Sequence, residues 1–179
     1  MNIITQNCVG GRIYKDILRC PYSNPFIWTV IDFNSMQYLI ENWKNINFLN
    51  YELVKDDKWN FSIIIDKNVK VQLVHYKFNP NYSKPTRTGP GDISYNKIWE
   101  FITEHYETRV KRMLSEKSEP IFCICNIGSI FRDSIYTEEQ INILSKYKNV
   151  VIVRGQEKTD PLESAINSFK EILAYYKNT

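Results

Sequence analysis

Three short apolar runs constrain this chain more than any other feature. Residues 2–5 (NIIT), 121–125 (IFCIC) and 150–153 (VVIV) each read as a short buried strand. Each stops at a polar tip: Gln6-Asn7-Cys8, Cys125-Asn126 and Arg154-Gly155-Gln156. An amphipathic stretch follows every one of them. Strands that are apolar on both faces and alternate with helices predict a layered α/β sandwich, with a mixed, mostly parallel sheet flanked by helices. In such folds chemistry gathers beyond the carboxyl ends of the strands, so the polar tips are where a site is expected.

The remaining segments fill in that frame. Residues 12–18 (RIYKDIL) predict a helix with Ile13, Ile17 and Leu18 on one side. FIWTVI (26–31) predicts a strand, and Asn34 or Ser35 is expected to cap a helix carrying Met36, Leu39, Ile40 and Trp43. FSIIID (61–66) and VKVQLVHYKF (69–78), separated by Lys67-Asn68, predict one antiparallel hairpin; Val69, Val71, Leu73, His75 and Lys77 share a face of its second strand. Residues 79–92 form a long Pro- and Gly-containing loop. A helix from about 94 to 114 carries the apolar stripe Trp99, Ile102, Tyr106, Val110 and Met113. Thr137-x-x-Gln140 is a capping box, and Asp160-Pro161 opens a last helix expected to bury Leu162, Ile166, Phe169 and Leu173. The chain has 179 residues with no repeat and no linker, which predicts a single domain over 1–179.

Charge and cysteine usage narrow the function classes. The net charge is +3, with Lys and Arg interleaved among Asp and Glu, which gives no basic patch for a nucleic acid. No apolar run approaches membrane-spanning length. No charged-then-apolar leader opens the sequence, so a cytoplasmic setting with reduced thiols is expected. The four cysteines, at 8, 20, 123 and 125, lack zinc spacing. Neither a metal nor a cofactor is therefore expected, and the expected partner is a small-molecule or glycan-linked substrate.

Cys8 is the residue to explain. It sits where the first strand hands over to a helix, with Gly10-Gly11 behind it. A thiol attacks as its thiolate, and a helix N-terminus favours that anion. Glycines allow close approach to the main chain, so amides near Asn7, Val9, Gly10 and Gly11 are candidates for binding an oxyanion. His75, one of two histidines, lies on an alternating strand and is the candidate base, later acid. Asn126, at the end of IFCIC, is the first candidate to orient its ring, with Asp92 and Asp133 behind it. Arg109 and Arg112, on the basic flank of the long helix with His105, are candidates for binding an anionic substrate. A plainer reading makes Cys8 a small buried residue, Gly10-Gly11 a turn, and the arginines solvated stems over an apolar stripe. Cys123 and Cys125 read as core.

The ordered set IITQNCVGGRIYKDILRCPYSNPFIWTVIDF, then VQLVHYKF, then a helix with Trp99, Arg109 and Arg112, resembles an uncharacterised bacterial family associated with exopolysaccharide biosynthesis. A related group is the papain-like cysteine peptidases in which Ser-Asn-Cys precedes Pro-Phe-x-Trp. Here those pieces read Gln6-Asn7-Cys8 and Pro25-Phe26-Ile27-Trp28. The resemblance covers about residues 1–126 and implies Cys8 as nucleophile and His75 as base; no matched motif fixes the third member. The expectation is thus a cysteine-dependent hydrolase or acyl transferase linked to surface polysaccharide. Two rivals stand beside it. One is a non-covalent transferase or sugar-phosphate-binding protein in which Cys8 is incidental. The other is an inactive binding component using the 79–92 loop.

Overall fold

The computed structural model describes residues 2–19, 24–55, 61–73, 95–116, 118–126, 135–154 and 160–178. Strand β1 (Ile3–Thr5) runs into helix α1 (Val9–Arg12), which widens into a π-helical turn over Ile13–Ile17. Then come β2 (Thr29–Ile31), α2 (Phe33–Asn42), a 3₁₀ turn (Trp43–Asn45), β3 (Tyr51–Lys55), β4 (Phe61–Ile65) and β5 (Val69–Leu73). The chain continues through α3 (Tyr95–Ser115), β6 (Ile121–Asn126), α4 (Glu138–Leu144), β7 (Val150–Arg154) and α5 (Pro161–Asn178).

The strands divide by direction. β1, β6 and β7 form a parallel sheet in the order β1-β6-β7, while β2, β5, β4 and β3 form an antiparallel sheet in that order. The α/β class holds, but the antiparallel part is a sheet of its own and not one hairpin in a mixed sheet. Its extra member, β3, reads as polar in sequence. Tyr51, Leu53 and Lys55 alternate with Glu52 and Val54, and only Leu53 is buried. The Ile31 amide donates to the Gln6 carbonyl at 2.8 Å, which links the two sheets.

Period-two alternation gives the parallel sheet two apolar faces. Ile3, Ile121, Cys123, Cys125, Val151 and Val153 point to one side, where Val9, Ile13 and Tyr14 from the first helical segment and Ala165 and Ile172 from α5 cover them. Ile4, Phe122 and Ile124 point to the other. There they join α2, α4, the α3 stripe and the aliphatic face of the antiparallel sheet in the larger core. Trp43 lies 4.8 Å from Phe48 and 5.8 Å from Phe122, between ring centroids, so it ties the 3₁₀ turn to the base of β6.

Several local expectations change. Asp32, not Asn34 or Ser35, caps α2: its Oδ1 accepts from the Ser35 amide at 2.9 Å. The first helix begins at Val9, three residues before the apolar spacing starts. Only Thr29–Ile31 of FIWTVI is strand, because Trp28 adopts a left-handed backbone (φ 63°) that ends the extended run. The hairpin turn has three residues, Asp66 to Asn68, with Asp66 and Lys67 also left-handed. On α5 the buried side is Ala165, Ser168 and Ile172, while Leu162, Ile166 and Leu173 are more than a third exposed. The small residues face the sheet because α5 also packs closely on α1. The expected capping box is present at Thr137 and Gln140.

Candidate active site

Cys8 ends the turn after β1 and is the N-cap residue of α1, in right-handed helical conformation. It stands at the carboxyl end of the parallel sheet, where the sequence pattern points. Cys8 is only 3% exposed and is buried together with its apolar neighbour Val9. Its chain neighbours Thr5, Gln6 and Asn7 are polar and fully buried. Buried polar groups must be paired, and here the pairing builds the local structure.

Gln6 and Asn7 both reach across to β6. Gln6 Nε2 donates to the Cys125 carbonyl at 3.2 Å, and the Cys125 amide donates to Gln6 Oε1 at 2.6 Å. Asn7 Nδ2 donates to the same carbonyl at 3.0 Å. The two side chains thus continue the β1–β6 ladder after the β1 backbone has turned away. Thr5 Oγ1 donates to the Asn7 carbonyl at 2.6 Å, fixing the turn itself.

The head of α1 is satisfied from within. The Val9 amide donates to Asn7 Oδ1 at 3.1 Å, and the Gly10 amide to Thr5 Oγ1 at 3.0 Å. Of the Val9, Gly10 and Gly11 amides expected to hold an oxyanion, the first two thus already have acceptors within the protein, the ordinary fate of N-terminal helix amides. The reason for the glycines also changes. Neither has positive φ. A Cβ on Gly10 would overlap Thr5 Oγ1, and one on Gly11 would overlap the Trp28 indole. The groups that come close to the main chain are the protein's own.

The other predicted residues fall into two sets. β1 and β6 pair with Thr5 opposite Cys123, and beyond that pair the Gln6 and Asn7 side chains bind the Cys125 carbonyl, one residue before Asn126. Leu73, where β5 ends, is opposite Thr29, next to the Trp28 that lies on Gly11. His75, Asp92, Asp133, Cys20 and the 79–92 loop lie outside the described residues. Arg109 and Arg112 lie on α3, whose preceding turn packs on the antiparallel sheet. Tyr106 donates to the Phe48 carbonyl at 2.9 Å, and Tyr51 donates to Glu107 at 2.9 Å from the far edge of the antiparallel sheet. The next turn of α3, with buried Arg109 and exposed Arg112, leads toward the amino end of β6. Burial and the Arg109 charge push the half-buried His105 below its ordinary pKa.

Sequence reasoning missed the role of Gln6, and the signal was available: a polar residue at the end of an apolar strand needs partners. Cys123 and Cys125 are core, as read. Their sulfurs lie 3.4 Å apart, and Cys125 Sγ is 3.2 Å from Ser168 Oγ on α5. The hydrogen bond to Cys125, then burial, holds the Cys123 thiol well above its ordinary pKa. Among the described residues no group of three or more His, Cys, Asp or Glu is placed to hold a metal ion. No described helix is long and apolar enough to cross a membrane. Comparison with known proteins finds no matching family and no matching curated relative.

Proposed function

We propose that this protein is a cysteine-dependent hydrolase or acyl transferase that works on a small-molecule or glycan-linked substrate in a reducing, cytoplasmic setting. The Cys8 sulfur attacks a carbonyl carbon, a carbon–sulfur bond forms, and the leaving group departs with a proton from His75. Water or an acceptor hydroxyl then attacks the thioester, giving its proton to His75 and releasing Cys8. Asn126 orients the His75 ring. The Val9 and Gly10 amides, held by Asn7 and Thr5, are not the oxyanion donors, and the two arginines are the candidates for binding an anionic group of the substrate. The link to surface polysaccharide rests on the resemblance alone.

The observation that carries this reading is the place of Cys8: at the head of α1, beyond the carboxyl end of a parallel strand, directly after the buried polar residues Thr5, Gln6 and Asn7. Its low exposure favours the rival reading, a non-covalent transferase or sugar-phosphate binder in which Cys8 is structural. Iodoacetamide labelling at neutral pH, read cysteine by cysteine by mass spectrometry, separates them. Cys8 is expected to be modified well ahead of Cys20, Cys123 and Cys125, with His75→Ala moving the pH dependence of its rate. Labelling of Cys8 no faster than the core thiols would overturn the covalent mechanism.

A further inference from the structure

The outer edges of the two sheets are treated differently. β1 is covered: Tyr14 Oη accepts from the Ile3 amide at 2.8 Å, and Asn24 Nδ2 donates to the Ile3 carbonyl at 3.0 Å. β3 carries Glu52 and Lys55, charges that oppose pairing with another chain. β7 has a single charge, Arg154, at its last position. It reads Val150-Val151-Ile152-Val153 before Arg154, and among the described strands it pairs only with β6.

The Phe122 amide donates to the Asn149 carbonyl at 2.9 Å, so residues 149, 151 and 153 turn their backbone groups toward β6. Val150, Ile152 and Arg154 turn theirs outward. The Val150 amide is used by the Tyr147 carbonyl at 3.2 Å, but the Ile152 amide and carbonyl have no partner among the described residues. A cleft of about 630 Å³ runs beside this edge, between Ile141, Asn142 and Ser145 of α4 and Asn167 and Glu171 of α5. Among the described residues, neither α4 nor α5 hydrogen-bonds to the outward backbone groups of Ile152.

We propose that a second copy of this chain pairs with β7, antiparallel and about a two-fold axis at Ile152, to make a six-stranded sheet. Each Ile152 amide then donates to the Ile152 carbonyl of the second copy, and each Arg154 amide donates to the Val150 carbonyl of the second copy. Surface charge argues for this occupant. Glu138 and Glu139 open α4 beside Arg154; the Arg154 guanidinium binds Glu138 at 2.7 Å, so these three groups carry one net negative charge, that of Glu139. Lys146 and Lys148, both exposed, lie at the opposite end of β7. An antiparallel two-fold pair brings the acidic end of each copy to the basic end of the other, twice. A parallel pair would set like charges together.

Sedimentation equilibrium on the full chain, at concentrations up to about 1 mM, tests this. The expected result is a dimer that Lys148→Glu weakens by about tenfold and that Lys148→Glu with Glu139→Lys restores. Ile152→Pro removes the central outward amide, a change edge strands tolerate, and is expected to give a folded monomer by circular dichroism. If that variant fails to fold, the charge exchange decides the matter alone. A wild-type monomer throughout the range, or a dimer indifferent to the charge reversal, would overturn the proposal.

Discussion

In the antiparallel sheet, Leu53, Ile63, Ile65, Val69 and Val71 turn one aliphatic face to the core, and the strands are held by an ordinary ladder. At the carboxyl end of the parallel sheet the reverse holds. Thr5, Gln6 and Asn7 are buried, and side-chain bonds do what the ladder does elsewhere. The first region rests on non-directional burial, which tolerates exchange of one aliphatic residue for another. The second rests on directional bonds, each of which leaves a stranded partner when broken.

The largest expected effect is at the joint. Gln6→Leu keeps the volume roughly constant and adds apolar surface, yet it strands the Cys125 amide. It should cost about 3 kcal/mol in a urea titration. A loss below about 1 kcal/mol would put this region in the same class as the antiparallel core. Next comes Gly11→Ala, which forces a methyl group against the Trp28 indole and should cost about 1–3 kcal/mol. Adding Trp28→Ala should recover part of that loss, and the double-mutant cycle measures the coupling. Strict additivity would show that Gly11 is not there to admit the ring. The smallest effect belongs to the other half. Ile63→Val removes one methylene from the aliphatic face and should cost about 0.5–1.5 kcal/mol, with no change in the labelling rate of Cys8.

Much of the frame is legible in the residues. The runs NIIT, IFCIC and VVIV become β1, β6 and β7, because strands buried on both faces leave an unmistakable apolar signature. The stripe Ile102, Tyr106, Val110 and Met113 is buried as its spacing requires. β3 escapes notice because an edge strand buries one residue in five and otherwise looks like a loop. The α5 stripe misleads for a related reason. Periodicity finds an apolar face but not which face meets the sheet, and close packing on α1 selects Ala165, Ser168 and Ile172 over the larger Leu162, Ile166 and Leu173.

The site divides in the same way. Cys8 is found from sequence, since a strand, a polar tip and a helix in that order specify a strand end. The saturation of the Val9 and Gly10 amides is not, because their acceptors are side chains whose rotamers only the turn geometry fixes.

What the sequence determined by itself is local: periodicity, caps and strand ends depend on neighbours a few places away. What only the tertiary structure decided is the meeting of distant groups. Gln6 and Asn7 find Cys125 more than a hundred residues later, Gly11 receives Trp28, and β7 falls at an edge among the described strands. Those pairings are set by strand order and by which surfaces fit at close range, and no spacing along the chain encodes either.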